Sequence, residues 1–173
     1  MKSLPLLALS AALAAGCAQL GLNMGPTATA KLAPTKGNSV QGTVTFTQDG
    51  SVVHVKAEVT GLAPNTEHGF HIHDKGDCSS GDGMSAGGHF NPTGQPHGAH
   101  TAAHHHAGDL PSIHADAAGN ATIKFDSKAI SVGSGATDVV GKGLIVHRDP
   151  DDFTTQPTGN SGPRIACAVI QKG

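Results

Sequence analysis

The residues best suited to chemistry in this chain are its histidines, ten of which lie between positions 68 and 114. His71 and His73 stand two residues apart, and side chains at that spacing in a strand point to the same face of a sheet. The two imidazoles could therefore bind one ion while Ile72, between them, enters the core. A His-x-His pair alone is a weak sign of a metal site, so the prediction depends on finding further ligands later in the chain.

The residues that follow His71 and His73 strengthen the prediction of a metal site. The segments Gly-His-Phe-Asn-Pro and His-Ala-Gly-Asp-Leu are typical of shaped loops, which argues against the alternative of a histidine-rich segment that only buffers metal. Imidazole nitrogen suits zinc and copper, and a carboxylate oxygen among the ligands favours zinc over Cu(I). We therefore predict nitrogen-rich sites with at most one or two oxygen ligands. The candidate ligands are His89, His97, His104, His105, His106 and Asp109.

The composition excludes several other classes of protein. The 173 residues include 12 His but only 5 Phe and no Trp or Tyr, so Val, Ile, Leu and Ala must fill most of the core. The 24 Gly and 10 Pro argue against a helical bundle, because both are poor helix formers. A formal net charge of −2 excludes a strongly basic nucleic-acid-binding protein, so we expect no nucleic-acid partner.

The elements that must position these ligands are strands. Apolar and polar residues alternate in short runs, and turn signals such as Gln48-Asp49-Gly50 separate them. No window of useful length has helical periodicity, so we expect an all-β sandwich or flattened barrel. The predicted strands cover residues 40–47, 53–59, 67–73, 120–125, 129–132, 143–147 and 165–170.

Two long segments between the predicted strands are loops. Residues 74–110 are rich in Gly and His, and residues 148–163 are rich in Asp, Thr, Pro and Gly. Structureless segments of this length in a compact domain are usually functional or disordered, and the histidines favour function. His147 ends the strand before the second loop, where its side chain reaches the rim of the sheet.

The N-terminus is predicted to be an export signal. Residues 1–16 combine a positive charge at Lys2 with an apolar stretch too short to span a bilayer. Small residues lie directly before Cys17, and this arrangement resembles the bacterial lipoprotein signal, in which the cysteine is acylated. The alternative is an ordinary secretory signal cleaved nearby. Both interpretations place the protein outside the cytoplasm, and the first predicts a periplasmic protein anchored to a membrane of the envelope.

The cysteines fit an exported protein. If Cys17 carries lipid, Cys78 and Cys167 remain as a pair, in a compartment that permits disulfides. Residues 17–36 are small, polar and interrupted by Pro, and we predict a flexible tether. The folded domain is then predicted to cover residues 37–173.

Five short segments in a fixed order resemble the copper/zinc superoxide dismutase family. The resemblance covers roughly residues 40–170, and several separate motifs make it specific. It implies a Greek-key flattened barrel, or immunoglobulin-like sandwich, of about eight antiparallel strands with two long functional loops. The segments are Gly69-Phe70-His71-Ile72-His73, Ser85-Ala86-Gly87-Gly88-His89-Phe90-Asn91-Pro92, His106-Ala107-Gly108-Asp109-Leu110, Val146-His147 and Gly162-Pro163-Arg164-Ile165-Ala166-Cys167.

The resemblance assigns a role to each matched residue. His71, His73 and His147 resemble copper ligands, and His89 resembles the histidine that bridges both metals. The remaining zinc ligands would be His97, His106 and Asp109, where His106 is chosen over its neighbours by its spacing to Asp109. Asp151 resembles the carboxylate that links copper and zinc histidines, Arg164 the arginine that guides the anionic substrate, and Cys78 and Cys167 the intrasubunit disulfide.

The implied activity is dismutation of superoxide to oxygen and hydrogen peroxide, with a redox-cycling copper, a structural zinc and protection of the cell envelope. Arg164 would attract and dock the anion, and His89 could hold one of the protons that the reaction consumes. Members of the family also form homodimers, so a dimer is a possible assembly. The alternative is a non-catalytic periplasmic carrier of copper and zinc on the same fold. The complete ligand set together with Arg164 favours the enzyme.

The histidines outside these sets receive modest interpretations. His68 is expected to form structural hydrogen bonds, and His54 to face solvent on a strand. His100, His104 and His105 are expected to be exposed loop residues. An alternative for these three is a part in recruiting metal to the sites.

Overall fold

The computed structural model describes residues 25–173, and strands dominate them. The predicted export signal and Cys17 lie outside the described residues. The described part contains one short 3-10 helix, Met84–Ala86, and the all-β prediction is confirmed. The strands are β1 (Thr27–Pro34), β2 (Gln41–Asp49), β3 (Val52–Thr60), β4 (Glu67–His68), β5 (Phe70–His73), β6 (Ile113–His114), β7 (Ala121–Ser127), β8 (Gly143–His147), β9 (Arg164–Val169) and β10 (Gln171–Lys172).

Eight of these strands form one curled antiparallel sheet. Its order is β5-β8-β9-β1-β2-β3-β7, with β10 pairing to β1, while β4 and β6 form a separate pair. The chain passes from β3 to β5 at the opposite edge of the sheet and later returns to β7 beside β3, a Greek-key arrangement. Alternation decides which face is inside: in β3, Val53, Val55, Ala57 and Val59 are buried while His54 is exposed.

The first strand corrects the predicted tether. Residues 17–36 were expected to be flexible, but Thr27–Pro34 lies inside the sheet and pairs with β2 along most of its length. Ala28, Ala30 and Leu32 are buried, so small side chains alternate with polar ones at the period of a strand. The small residues that suggested a linker are therefore the buried side chains of a strand. The folded unit therefore begins before residue 37.

Two other predicted elements differ from the structure. The single strand expected at residues 67–73 is two strands, because the chain changes partner at Gly69: β4 pairs with β6 and β5 pairs with β8. A Cβ at position 69 would lie 2.6 Å from Ser161 Oγ, so the close approach there requires glycine. Residues 129–132 form no strand, and only Ser131 makes a single bridge, to Asp138.

Two segments carry the remaining candidate ligands. The first loop (residues 74–112) connects β5 to β6 and contains the 3-10 helix, and the second loop (residues 148–163) connects β8 to β9. A disulfide between Cys78 and Cys167 ties the first loop to β9, with 5.9 Å between the Cα atoms, as predicted. Among residues 25–173, no helix has the length and apolar character needed to cross a bilayer.

Candidate metal centre

Strands β5 and β8 bring three histidines together. The two strands are antiparallel neighbours, with Phe70 opposite Val146, and the pairing of β8 with β9 shifts register between Val146 and His147. All four residues of β5 are buried, including His71 and His73, because the first loop also contacts this strand at His71 and His73. Strand β5 is the edge of the sheet, and it therefore lies between β8 and the first loop instead of facing solvent.

His71, His73, His89 and His147 form a nitrogen cluster, in which the ligand atoms lie within 4.8 Å of one another. His71 Nδ1 and His89 Nε2 are buried and have no hydrogen-bond partner among the described residues. An unpaired buried nitrogen costs about 1–3 kcal/mol, so two of them facing one cluster fit a bound ion. Four imidazole nitrogens are a donor set that suits copper.

The other ring nitrogens of the nitrogen cluster are held in place. His73 Nδ1 lies 2.8 Å from the carbonyl of Gly87, and His147 Nδ1 lies 3.1 Å from that of Gly162. A carbonyl accepts, so each Nδ1 donates its proton and leaves a lone pair on Nε2. The two Nε2 atoms are 3.4 Å apart. Outer contacts of this kind orient imidazoles toward a metal.

His89, His97, His106 and Asp109 form a mixed cluster of three nitrogens and one oxygen, also within 4.8 Å. Asp109 Oδ1 lies 2.8 Å from His89 Nδ1, 3.0 Å from His97 Nδ1 and 3.2 Å from His106 Nδ1. Backbone N–H groups of Gly98 and His106 donate to Asp109 Oδ2, which fixes the carboxylate in its loop. Three imidazoles and a carboxylate are a donor set that suits zinc.

His89 belongs to both clusters. Its Nδ1 faces Asp109 in the mixed cluster, and its unpaired Nε2 remains for the nitrogen cluster, where its ring centroid lies 4.0 Å from that of His71. One imidazole can thus face two ions, through one nitrogen each.

Asp151, in the second loop, contacts one histidine of each cluster. Its Oδ2 lies 2.5 Å from His71 Nε2, and its Oδ1 lies 2.9 Å from His97 Nε2. The carboxylate is buried, and a backbone N–H from Phe153 also donates to it. The contacts agree with the linking position that the resemblance implied.

Burial keeps three histidines of the nitrogen cluster neutral. It lowers the pKa of His71 to about 4 and that of His147 to about 3, and it places the pKa of His73 well below its ordinary value. At neutral pH these three imidazoles therefore offer lone pairs to a cation without first losing a proton.

The carboxylate of the mixed cluster is instead held in its charged form. Burial raises the pKa of Asp109, but hydrogen bonds from His89 and His97 outweigh it and hold the pKa well below its ordinary value. For His97 the directions are reversed. Burial lowers its pKa, but hydrogen bonds to Asp109 and Asp151 outweigh burial and raise the pKa to about 9. The mixed cluster is therefore built around an ionised Asp109, which favours a bound cation, and a cation that binds His97 displaces the proton on its ring.

Arg164, at the start of β9, pairs with His147 on the neighbouring strand β8. Its guanidinium is half-buried and donates to the carbonyls of Gly83 and Gly87, each at 2.6 Å. The Gly87 carbonyl also accepts from His73, so the arginine and a histidine of the nitrogen cluster share an anchor. This is the position expected of a positive charge beside the site.

The remaining histidines lie outside both clusters. His68 is buried and bonds to the carbonyl of His147 and to Thr66 Oγ1, as expected, and His54 is exposed. The expected exposure is wrong for two loop residues. His100 and His105 are half-buried, because their rings pack together at 5.6 Å and His100 also packs against Phe125.

Sequence reasoning missed two residues of the second loop that contact the mixed cluster. The Gln156 side chain bonds to the backbone of His97, and Gly159 leaves room beside Asp151. An amide in a Thr- and Pro-rich loop has no periodic or spacing signal, so a single sequence could not reveal Gln156.

Comparisons with known proteins agree with this geometry. The family model described as "Copper/zinc superoxide dismutase (SODC)" matches residues 40–170. A protein named superoxide dismutase [Cu-Zn] from Paramecium bursaria Chlorella virus 1 is 41% identical over 137 residues, which are 76% of this chain and 72% of the relative. Superoxide dismutase [Cu-Zn] 2 of Aquifex aeolicus is 38% identical over 146 residues, which are 82% of this chain and 85% of the relative.

A solved structure shares the fold of this chain. The crystal structure of the clock protein EA4 superposes with a TM-score of 0.76 at 38% identity, covering 84% of this chain and 93% of the other. The two clusters fit a copper and a zinc ion. The chain therefore belongs to the copper/zinc superoxide dismutase family and is an enzyme that dismutes superoxide with copper and zinc as cofactors.

Proposed function

We propose a division of labour between the two clusters in this dismutation. The nitrogen cluster would hold copper and the mixed cluster would hold zinc, and His89 belongs to both ligand sets. The observation that carries the assignment is His89 itself, whose Nδ1 faces Asp109 while its Nε2 is buried without a partner in the described chain.

The chemistry requires electrons, protons and an anion site. Two superoxide anions and two protons give one oxygen and one hydrogen peroxide; bound copper would supply the one-electron exchange and zinc a fixed positive charge. The side chains bind the anion and hold a proton. Arg164 attracts and docks the anion, and His89 Nε2 would hold one proton for the peroxide when it is not a ligand of copper. Asp151 keeps His71 and His97 in the orientation that both metals need.

Replacing His147 with Ala tests the division. We expect dismutation to be lost while zinc stays bound at about one ion per chain, because His147 contributes to the nitrogen cluster alone. The measurement is an activity assay on copper- and zinc-loaded protein, paired with elemental analysis. His54→Ala is the matched control, since His54 is exposed and lies outside both clusters.

Two outcomes would contradict the assignment. Full activity in His147→Ala would remove this residue from the copper site, and loss of zinc would show that it serves the other metal. A wild-type protein that binds both metals without dismuting superoxide would instead favour the carrier.

We also propose that the enzyme works in the envelope of a bacterial cell, exported by residues 1–16 and anchored through an acylated Cys17. The support is the amino-acid sequence of the signal and the Cys78–Cys167 disulfide, a bond more common in oxidising compartments than in the cytosol. In that place the enzyme would protect the envelope from superoxide.

A further inference from the structure

Gln156 contacts the backbone of His97 at two points. Its Oε1 accepts from the His97 N–H at 2.9 Å, and its Nε2 donates to the His97 carbonyl at 2.9 Å. A side-chain amide has a donor and an acceptor side by side, so it can satisfy both backbone groups as a neighbouring strand would. A carboxylate could make only the first bond.

The same loop also holds the His97 ring. Asp151 Oδ1 lies 2.9 Å from His97 Nε2, and Nδ1 on the other side of the ring faces Asp109 in the mixed cluster. The second loop therefore occupies the backbone N–H, the carbonyl and one ring nitrogen of His97. Only Nδ1 remains for an ion.

Gly159 shows how closely the second loop fits around this residue. Its φ is +69°, and a Cβ at this position would overlap Asp151 Oδ1 and lie 2.5 Å from His97 Nε2. The backbone of the loop thus runs directly against the Asp151–His97 contact. The bond from the Asp152 N–H to the Gly159 carbonyl, at 3.0 Å, closes the loop there.

We propose that Gln156 is a positioning residue for the zinc site: it fixes the backbone of His97 so that Nδ1 points into the mixed cluster. The inference rests on the proposed role of His97 as a zinc ligand. In this chain the second loop stabilises the first loop at His97: Gln156 binds the His97 backbone, and Asp151 binds the His97 ring.

Zinc release tests the proposal. Protein loaded with copper and zinc is mixed with excess 4-(2-pyridylazo)resorcinol, and the rate of zinc capture is followed at a temperature where the fold is intact. Partners in the outer layer of a metal site change affinity by about 10–100-fold, so we expect Gln156→Met to release zinc about tenfold faster or more. Gln156→Glu keeps the acceptor and loses the donor. Its rate of zinc release should lie between those of the wild type and Gln156→Met.

Gln95→Met is the matched control. Gln95 lies in the first loop two residues before His97, but its side-chain amide contacts the exposed His104 instead of a clustered residue. We expect its zinc release to match that of the wild type. Zinc-site cobalt gives an independent measure, because the visible spectrum of Co²⁺ reports ligand geometry and should change in Gln156→Met alone.

Three results would overturn the inference. Wild-type release in Gln156→Met would show that the two bonds position nothing. An equal fall in the melting temperature of metal-free and loaded Gln156→Met protein, with zinc release unchanged, would show a purely structural role. His97→Ala separates the proposals: if it binds zinc as the wild type does, the ligand assignment itself is wrong and the role of Gln156 falls with it.

Discussion

Three histidines of the nitrogen cluster each have one ring nitrogen fixed by the protein and another left for an ion. In His73 and His147 a backbone carbonyl takes the Nδ1 proton, and in His71 the carboxylate of Asp151 contacts Nε2. The tautomer is therefore set before any metal arrives, and burial keeps the rings neutral. A metal entering the cluster meets donors that need little rearrangement.

Arg164 should control how fast the anion arrives. Arg164→Glu replaces an attracting charge with a repelling one beside the copper site, so we expect the rate to fall and its dependence on ionic strength to weaken or reverse. The measurement is the dismutation rate of fully loaded protein at low and high salt.

Lys56→Glu is the control for net charge. It makes the same change of two charges on β3, where Lys56 is partly exposed and forms an ion pair with Glu58. Its rate should stay close to that of the wild type. A similar fall in both variants would show that the charge of the whole molecule matters and that Arg164 has no special place.

At the scale of the elements, the disulfide connects the first loop to β9. Cys78 comes shortly before Gly83 and Gly87, whose carbonyls hold Arg164, and Cys167 lies three residues beyond Arg164. The bond therefore fixes both sides of the arginine's surroundings as well as closing a loop of 89 residues.

Replacing Cys78 and Cys167 with Ser together should reduce the free energy of unfolding by about 4–5 kcal/mol, the chain-entropy value for a loop of this length. Urea unfolding of the metal-free protein measures it. A loss below about 1 kcal/mol would contradict this estimate and would mean that the unfolded chain gains little freedom when the bond is absent.

The strands and the clusters differ in how well the sequence predicts them. Residues 143–147 are predicted with the observed bounds, because the apolar run 144–146 forms the centre of the strand. The strand β1 was missed, since alternating Ala and Thr has the composition of a linker and only the sheet supplies its partners. The residues alone indicated most ligands of both clusters, and the family resemblance selected His106 and gave His147 its role. Gln156 acts through a geometry that no local pattern encodes.

For the whole molecule, the proposed anchor determines where the active site operates. If Cys17 is acylated, cells expressing the protein should incorporate labelled palmitate into it, and Cys17→Ser should abolish the label and release active enzyme from the membrane fraction. Labelling that persists in Cys17→Ser would contradict the lipid site. Activity found only in the cytoplasm would contradict the envelope as its place of work.

The position of β1 also has a consequence for how this chain folds. Ala28 pairs with Lys172, near the two ends of the sequence, and Ala33 pairs with Cys167 on β9. Contacts so far apart in sequence form late and slowly. The pairing of β1 with β9 and β10 can form only after residues 164–172 have been synthesised, so the centre of the sheet closes later than the β1–β2–β3 pairs.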